Sequence, residues 1–562
     1  MISTTKIRFY LILDIKSIIF ATTVILITLR IVIYTKFYIN KKKTIFTKII
    51  LVFVISIIIV IFRPSIVSMI IGWEGLGMSS FILIMFYQNK KSMISRIYTI
   101  IINRIGDATL IISIIIMINV NSWIFITARF QESKLWIILL IVRIFSKRAQ
   151  IPFSSWLTEA IAAPTPVSAL VHSSTLVTAG IYLILRFEPK IKYTNLNNLI
   201  FYIRIITLVI ARLNSLTQWD IKKLVALSTL AQLRIMFIAI SINIYKLAFF
   251  HMIIHATFKA LIFLCSRTLI SISNTQDLRK ISRTSKNSVI TLTRFNTANM
   301  ILCRIPFSSR FYSKELIIEI IMINSINNII TILFLITILT TIIYSFKIVI
   351  IINITKPNVP ITVTKEETLQ KTRKLILLLP SIILGNNTTW TLNTSPEIIY
   401  ITKIEKRLPL IIIFTTILII TLHNLGHRTK IKNNKLNQFS NYMWFMKTVA
   451  RSLKIVFIVI ILISFKTTEK GVLIIERIRF RKMTIKLLIN NFLITQFKFK
   501  TIILAIIIIS MLVFCLNSLN KSIILKLLRQ LKIFKQSAIV VYKLKHYIFN
   551  IKIKEKFLTA KL

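Results

Sequence analysis

The sequence predicts an all-α fold, a polytopic transmembrane helical bundle, on three observations. The chain has 562 residues of which 55% are hydrophobic, and its mean hydropathy of +0.78 is far too high for a soluble domain. Apolar runs with few or no charges recur along it, at 49–62, 108–120, 135–145, 169–185, 329–352, 410–422, 455–465 and 502–516. With their flanks these runs approach the ~20 residues that span a bilayer as a helix, and about fourteen spans are expected. The runs are continuous and do not alternate, which excludes a strand barrel.

Charge and composition exclude other classes. A net charge of +57 and a pI near 10.7 would point to nucleic acid in a soluble protein. Here the basic residues lie mostly between the apolar runs and in the last quarter, so membrane lipid is the expected partner and nucleic acid is not. Cys265, Cys303 and Cys515 stand isolated in apolar surroundings. Without a C-x-x-C pair, no metal or iron–sulfur ligand set is expected. There is no G-x-G-x-x-G, so no nucleotide-binding loop is expected either. Lys6 and Arg8 lead into an apolar run with no clear cleavage site, so no removable signal peptide is expected.

In chain order, residues 9–35 give a first span, with Asp14 and Arg30 in or near it, and Asn40-Lys41-Lys42-Lys43 a basic loop. Two helices follow, separated near Pro64. The second carries Gly72-Trp73-Glu74-Gly75-Leu76-Gly77, three of the chain's eight glycines around the one acid of that span. Small residues there let helices approach closely. Glu74 is either a structural partner of a nearby arginine or a titrating group. Arg104 and Asp107 are i, i+3 neighbours able to pair on one helix.

Pro164 and Pro166 then open the hydroxyl-rich run 163–180, which contains His172. That pattern describes a helix that starts or breaks inside the membrane, with freed backbone groups satisfied by Ser and Thr. Discontinuous helices at mid-membrane commonly carry ion sites.

The run 249–264 holds the clearest chemistry. His251, His255 and Lys259 are spaced four apart, so each step turns only ~40° and all three share one helix face. A charged lysine at the bilayer centre costs ~3 kcal/mol or more, so it either snorkels to the surface or belongs to a titratable relay facing protein or water.

These motifs resemble the chain 5 family of mitochondrial NADH–ubiquinone oxidoreductase, the antiporter-like membrane subunits at the distal end of respiratory complex I. The resemblance is carried by the runs 72–77, 103–107, 147–150, 163–180, 219–233, 251–264, 274–279 and 311–315, in the family's order over roughly residues 9–320. Run 163–180 is very specific; 103–107 alone would be weak. Beyond residue 330 only the architecture matches: further spans, a lateral amphipathic helix near 467–500, and a last span. The domain division that follows is 1–425 for an antiporter-like membrane domain with two broken-helix repeats, 426–517 for the lateral helix and its flanking spans, and 518–562 for a basic tail.

The resemblance implies a subunit of the proton-translocating NADH:ubiquinone reductase, multi-pass in the mitochondrial inner membrane. NADH, FMN, iron–sulfur clusters and ubiquinone would bind other subunits, with no cofactor in this chain. The partners would be other membrane subunits of the complex, above all the neighbouring antiporter-like chain. Glu74 and Lys147 would form the carboxylate–lysine pair of a first half-channel, beside His172 on the broken helix. Lys222, Lys223, His251 and His255 would carry the central axis. Lys259 would be the central lysine of the second half-channel and Lys314 its counterpart near the exit. Arg104, Asp107, Asp220 and Glu315 would support the axis; Glu315 stands where the family usually has aspartate. A sister chain of the complex, a multisubunit cation/proton antiporter subunit and a degenerate gene copy are the alternatives.

Two departures stand out. Glu74 comes some tens of residues earlier than the family pattern, as if a first helix were missing or short, and the tail after Asn520 runs past the expected end. More unusual are Arg30, Arg63, Arg96, Arg204, Arg212, Arg234, Arg267, Arg304 and Arg310, which sit in or at the ends of apolar helices with no acid close in sequence. At ~3 kcal/mol each, insertion would be very costly. As the motifs align, the family has glycine at 234, 267, 304 and 310, and serine at 63 and 148. Some animal mitochondria read the codons AGA and AGG as serine, and serine exchanges readily with glycine. These positions are therefore expected to hold small residues in the native protein, with +57 overstating its charge.

Overall fold

The computed structural model describes residues 10–426 apart from 40–41, 64, 120–133, 148, 152, 189–196, 274, 282–288, 325–327, 355–367 and 393–401. All of these lie in one compact unit, Met1–Thr468. Arg148, the expected lateral helix at 467–500, the last span and the tail 518–562 lie outside the described residues. Among the described residues the secondary structure is helical, with one isolated β-bridge and no strand. Nine of these helices are long and apolar enough to cross a membrane.

The chain opens with α1 (Ile15–Tyr38), α2 (Lys43–Phe62), α3 (Ile66–Ile84) and α4 (Lys90–Asn119). Close approach of α3 to α2 depends on glycine. A Cβ at Gly72 would lie 2.8 Å from both the Ser56 carbonyl oxygen and Val60 Cγ2, and one at Gly75 would lie 3.0 Å from Ser56 Cβ. Gly77 takes no part in this contact, since nothing lies within 4 Å of its added Cβ. Next come α5 (Lys134–Lys147), which packs on α4, and the short α6 (Ser155–Glu159).

The first broken helix is α7 (Thr165–Arg186), buried along its length. Pro166 lies in its first turn, where a missing N–H costs nothing. Ser168–Thr175 is wound as a π-helix, and at Thr175 the backbone leaves the helical region with φ −124° and ψ −68°. Hydroxyls bond the carbonyls of this winding: Ser174 donates to the Leu170 oxygen at 3.0 Å, and Thr175 to the same atom at 2.6 Å. The hydroxyl-rich sequence thus does what its composition predicts.

Helices α8 (Asn197–Thr217), α9 (Ile221–Ser241) and α10 (Tyr245–Ser273) follow. A tight turn at 242–244 makes α10 antiparallel to α9, so the start of α9 and the end of α10 share a membrane face. Backbone bonds stitch the two loops there, Ile221 N–H to the Gln276 oxygen at 3.1 Å and Leu278 N–H to the Trp219 oxygen at 2.9 Å.

The second broken helix is split into α11 (Val289–Cys303) and α12 (Ser309–Asn324). Between them Pro306 lacks a donor N–H. Arg304 and Phe307 adopt φ of 64° and 66°, the left-handed region that favours glycine. Helices α13 (Asn328–Ile354), α14 (Thr368–Leu392) and α15 (Lys403–Gly426) complete the described chain. Gly385 of α14 lies directly on the backbone of Ser309, and the Ser309 hydroxyl donates to the Ser381 carbonyl, which fixes the break against α14.

Candidate functional site

Two polar clusters lie in the bundle, the first half-buried and the second fully enclosed. In the first, Arg143 Nη1 of α5 is 2.7 Å from Asp107 Oδ1 of α4 and donates to the Gly106 oxygen at 2.9 Å. Arg104 Nη1 is 3.6 Å from Asp107 Oδ2 and 3.9 Å from Glu74 Oε1. Lys147 is buried, donates to the Trp73 carbonyl at 3.2 Å, and its Nζ lies 4.2 Å above the Trp73 ring.

Glu74 and Lys147 therefore share a neighbourhood but no ion pair within 4.0 Å. The reason is geometric. Glu74 follows Trp73 on α3 and its carboxylate, 43% exposed, turns toward Arg104, while Lys147 meets the backbone and ring of Trp73 itself. The direct pair expected from sequence is replaced by the chain Glu74–Arg104–Asp107–Arg143, with Lys147 beside it.

His172 sits on the π-helical turn of α7, 1% exposed, and neither ring nitrogen has a hydrogen-bond partner among the described residues. Its ring lies 6.2 Å from that of Trp156.

In the second cluster, Lys259, His255 and His251 of α10 are all fully enclosed. Lys259 does not snorkel: its amine donates to the Ser228 hydroxyl of α9. His251 Nδ1 lies 2.8 Å from the Ser313 hydroxyl of α12. Lys314, the next residue, is 2% exposed and its amine has no hydrogen-bond partner among the described residues. Glu315 is also buried.

Two expected members of the axis lie elsewhere. Lys223 is 43% exposed and pairs with Asp220 at 2.8 Å, at the membrane-face end of α9. Lys222 is buried on the same turn, six residues before Ser228. The i, i+3 spacing of Asp220 and Lys223 favours this local pair over an inward lysine.

Sequence reasoning missed Ser228, Ser313, Arg143 and Glu319. The two serines lie within the runs 219–233 and 311–315, but a lone hydroxyl in an apolar helix more often bonds its own backbone. Among the described residues no three His, Cys, Asp or Glu side chains cluster to hold a metal ion.

Comparisons with known proteins bear on this arrangement. Residues 64–340 match the family described as NADH:quinone oxidoreductase/Mrp antiporter, TM. The chain is 36% identical over 454 residues to NADH-ubiquinone oxidoreductase chain 5 of Aedes aegypti, covering 78% of each chain. It is likewise 36% identical over 463 residues to the chain 5 of Lumbricus terrestris, covering 79% of each.

The chain belongs to the NADH-ubiquinone oxidoreductase chain 5 family.

The chain 5 of Locusta migratoria is 41% identical over 345 residues, 60% of each chain. A solved structure, the Mrp complex from Dietzia sp. DQ12-45-1b, matches with TM-score 0.65 at 19% identity, covering 79% of this chain and 53% of that one. At that identity it supports the antiporter-like helical fold alone. The family segment 64–340 contains every candidate residue from Glu74 to Glu315 and both broken helices.

Proposed function

We propose that this chain 5 family member is a core membrane subunit of the proton-pumping NADH:ubiquinone oxidoreductase. It carries protons from the matrix to the intermembrane space, and electron transfer from NADH to ubiquinone takes place in other subunits. The chain itself binds no redox cofactor. Its location is the mitochondrial inner membrane, and its partners are the other membrane subunits, above all the neighbouring antiporter-like chain.

One observation carries the reading: enclosed titratable side chains borne by or packed against two broken helices. Lys147 and His172 are two of them, and a buried line of others runs along Lys259, His255 and His251 and across the Ser313 bond to Lys314. Buried ionisable groups in membrane helices are rare because each is costly, and where they occur they line ion or proton routes. An amine in such surroundings is charged only while a carboxylate or a polar chain compensates it. A change in the Glu74–Arg104–Asp107–Arg143 cluster therefore alters the proton occupancy of Lys147, and coupled sites pass protons by changing occupancy in turn. Serine hydroxyls on Lys259 and His251 both accept and donate, which suits a relay.

The test is Lys259→Met in the assembled complex. The variant is expected to assemble while losing coupled proton pumping. Unchanged protons per electron at unchanged turnover would overturn the reading.

A further inference from the structure

We propose that Glu319 carries protons onward from Lys314, and that the buried line opens at the membrane face bearing the 242–244 turn. This rests on the function proposed above and adds where the route ends.

Helix α12 carries two acids beyond Lys314. Glu315 and Glu319 are each 8% exposed, on a helix packed between α10 and α14. Four residues apart, they share one face with a rise of ~6 Å between them. The enclosed Lys314 amine, without a hydrogen-bond partner among the described residues, immediately precedes the first of them.

Two contacts fix the direction of α12. Ser313 meets His251 at 2.8 Å, while the Arg310 guanidinium lies 5.6 Å from the ring centre of Phe258. A step forward along α12 is thus a step backward along α10, and the two run antiparallel. This agrees with the break, where the Arg310 guanidinium reaches the Leu302 oxygen at 2.7 Å and α12 continues toward the face opposite the start of α11.

Depth then follows from helical rise. His251 lies six residues, ~9 Å, inside the start of α10 at Tyr245. Lys314 is level with His251. Glu319 lies five residues, ~7.5 Å, beyond Lys314 in the same direction, close to the level of Tyr245. Lys259, His255 and His251 descend toward that same face. The titratable groups of α10 and α12 therefore form one graded series ending at Glu319.

The step balances without another reactant. A Lys314 N–H bond breaks and a carboxyl O–H forms on Glu315, from which the proton passes to Glu319 on the same helix face. This leaves a neutral amine and a carboxylic acid. The acid then releases its proton to water at the membrane face and regains its charge.

The experiment compares E319Q, E319D and Lys259→Met in the assembled complex, with pumping rate normalised to the amount assembled. E319Q is expected to pump about a hundredfold more slowly or worse, the usual range for removing a proton-transfer group, and E319D, which keeps the carboxylate, to recover most of that loss. Normal pumping by E319Q beside a defective Lys259→Met would overturn the proposal and leave the function intact. Normal pumping by Lys259→Met would instead overturn the function on which it rests. Poor assembly of both Glu319 variants with normal pumping per complex would assign Glu319 to packing and likewise overturn the proposal.

Discussion

His251 Nδ1 lies 2.8 Å from the Ser313 hydroxyl, a bond joining the helix that bears Lys259 to the half-helix that bears Lys314. Ser313→Ala leaves a buried ring nitrogen without that partner, at a cost of ~1–3 kcal/mol. If about 1 kcal/mol of this appears in the barrier, coupled turnover falls about fivefold. Ser313→Thr keeps the hydroxyl and is expected to stay near the parent rate. Steady-state NADH oxidation coupled to pumping reads both, and parent-like turnover of the alanine variant would count against the bond.

Asp107 compensates Arg143, whose side chain is 3% exposed. Asp107→Asn leaves a buried cation, and removing one partner of such a pair costs about 3–5 kcal/mol. The amount of assembled complex is expected to drop sharply and to recover when Arg143→Met is added. Native gels measure this; no recovery in the double variant would mean that Asp107 acts otherwise than through Arg143.

Glycine at 72 is required by contact and glycine at 77 is not. Gly72→Ala pushes a methyl group against the Ser56 carbonyl and Val60, each 2.8 Å away, and overpacking of this kind costs about 1–3 kcal/mol. Gly77→Ala meets nothing within 4 Å and is expected to be neutral. Thermal melting of the detergent-solubilised complex separates the two, and equal stabilities would contradict the α2–α3 packing.

Position 304 is expected to carry a small residue in the native protein. It follows the last residue of α11 with φ 64°, the place where a helix most often ends in glycine. The Arg304 side chain is fully buried, and none of its three guanidinium nitrogens has a hydrogen-bond partner among the described residues. Arg310, also fully buried, bonds the Leu302 oxygen through Nη1, and its Nε and Nη2 have no hydrogen-bond partner among the described residues. Arg234 does reach the Ala149 carbonyl and the Thr207 hydroxyl, so burial alone is the weaker sign there. Peptide mass spectrometry of the native protein reads these positions, and arginine at 304 and 310 would refute the decoding account.

The sequence by itself determined the class and the chemistry available. Continuous apolar runs required membrane helices, since lipid offers backbone groups no partner. Proline and clustered hydroxyls placed the first break, and spacing of four put His251, His255 and Lys259 on one face. None of these depends on distant contacts. The tertiary structure decided which groups meet. It turned Glu74 toward Arg104 and away from Lys147, left Lys223 outside with Asp220, and enclosed Lys259 against Ser228. It also ran α12 against α10, which sets Glu319 near the level of Tyr245. The physical reason is that periodicity fixes a side chain's angle about its own helix axis. Its depth and partner are set by how other helices, many residues away in sequence, pack against that axis.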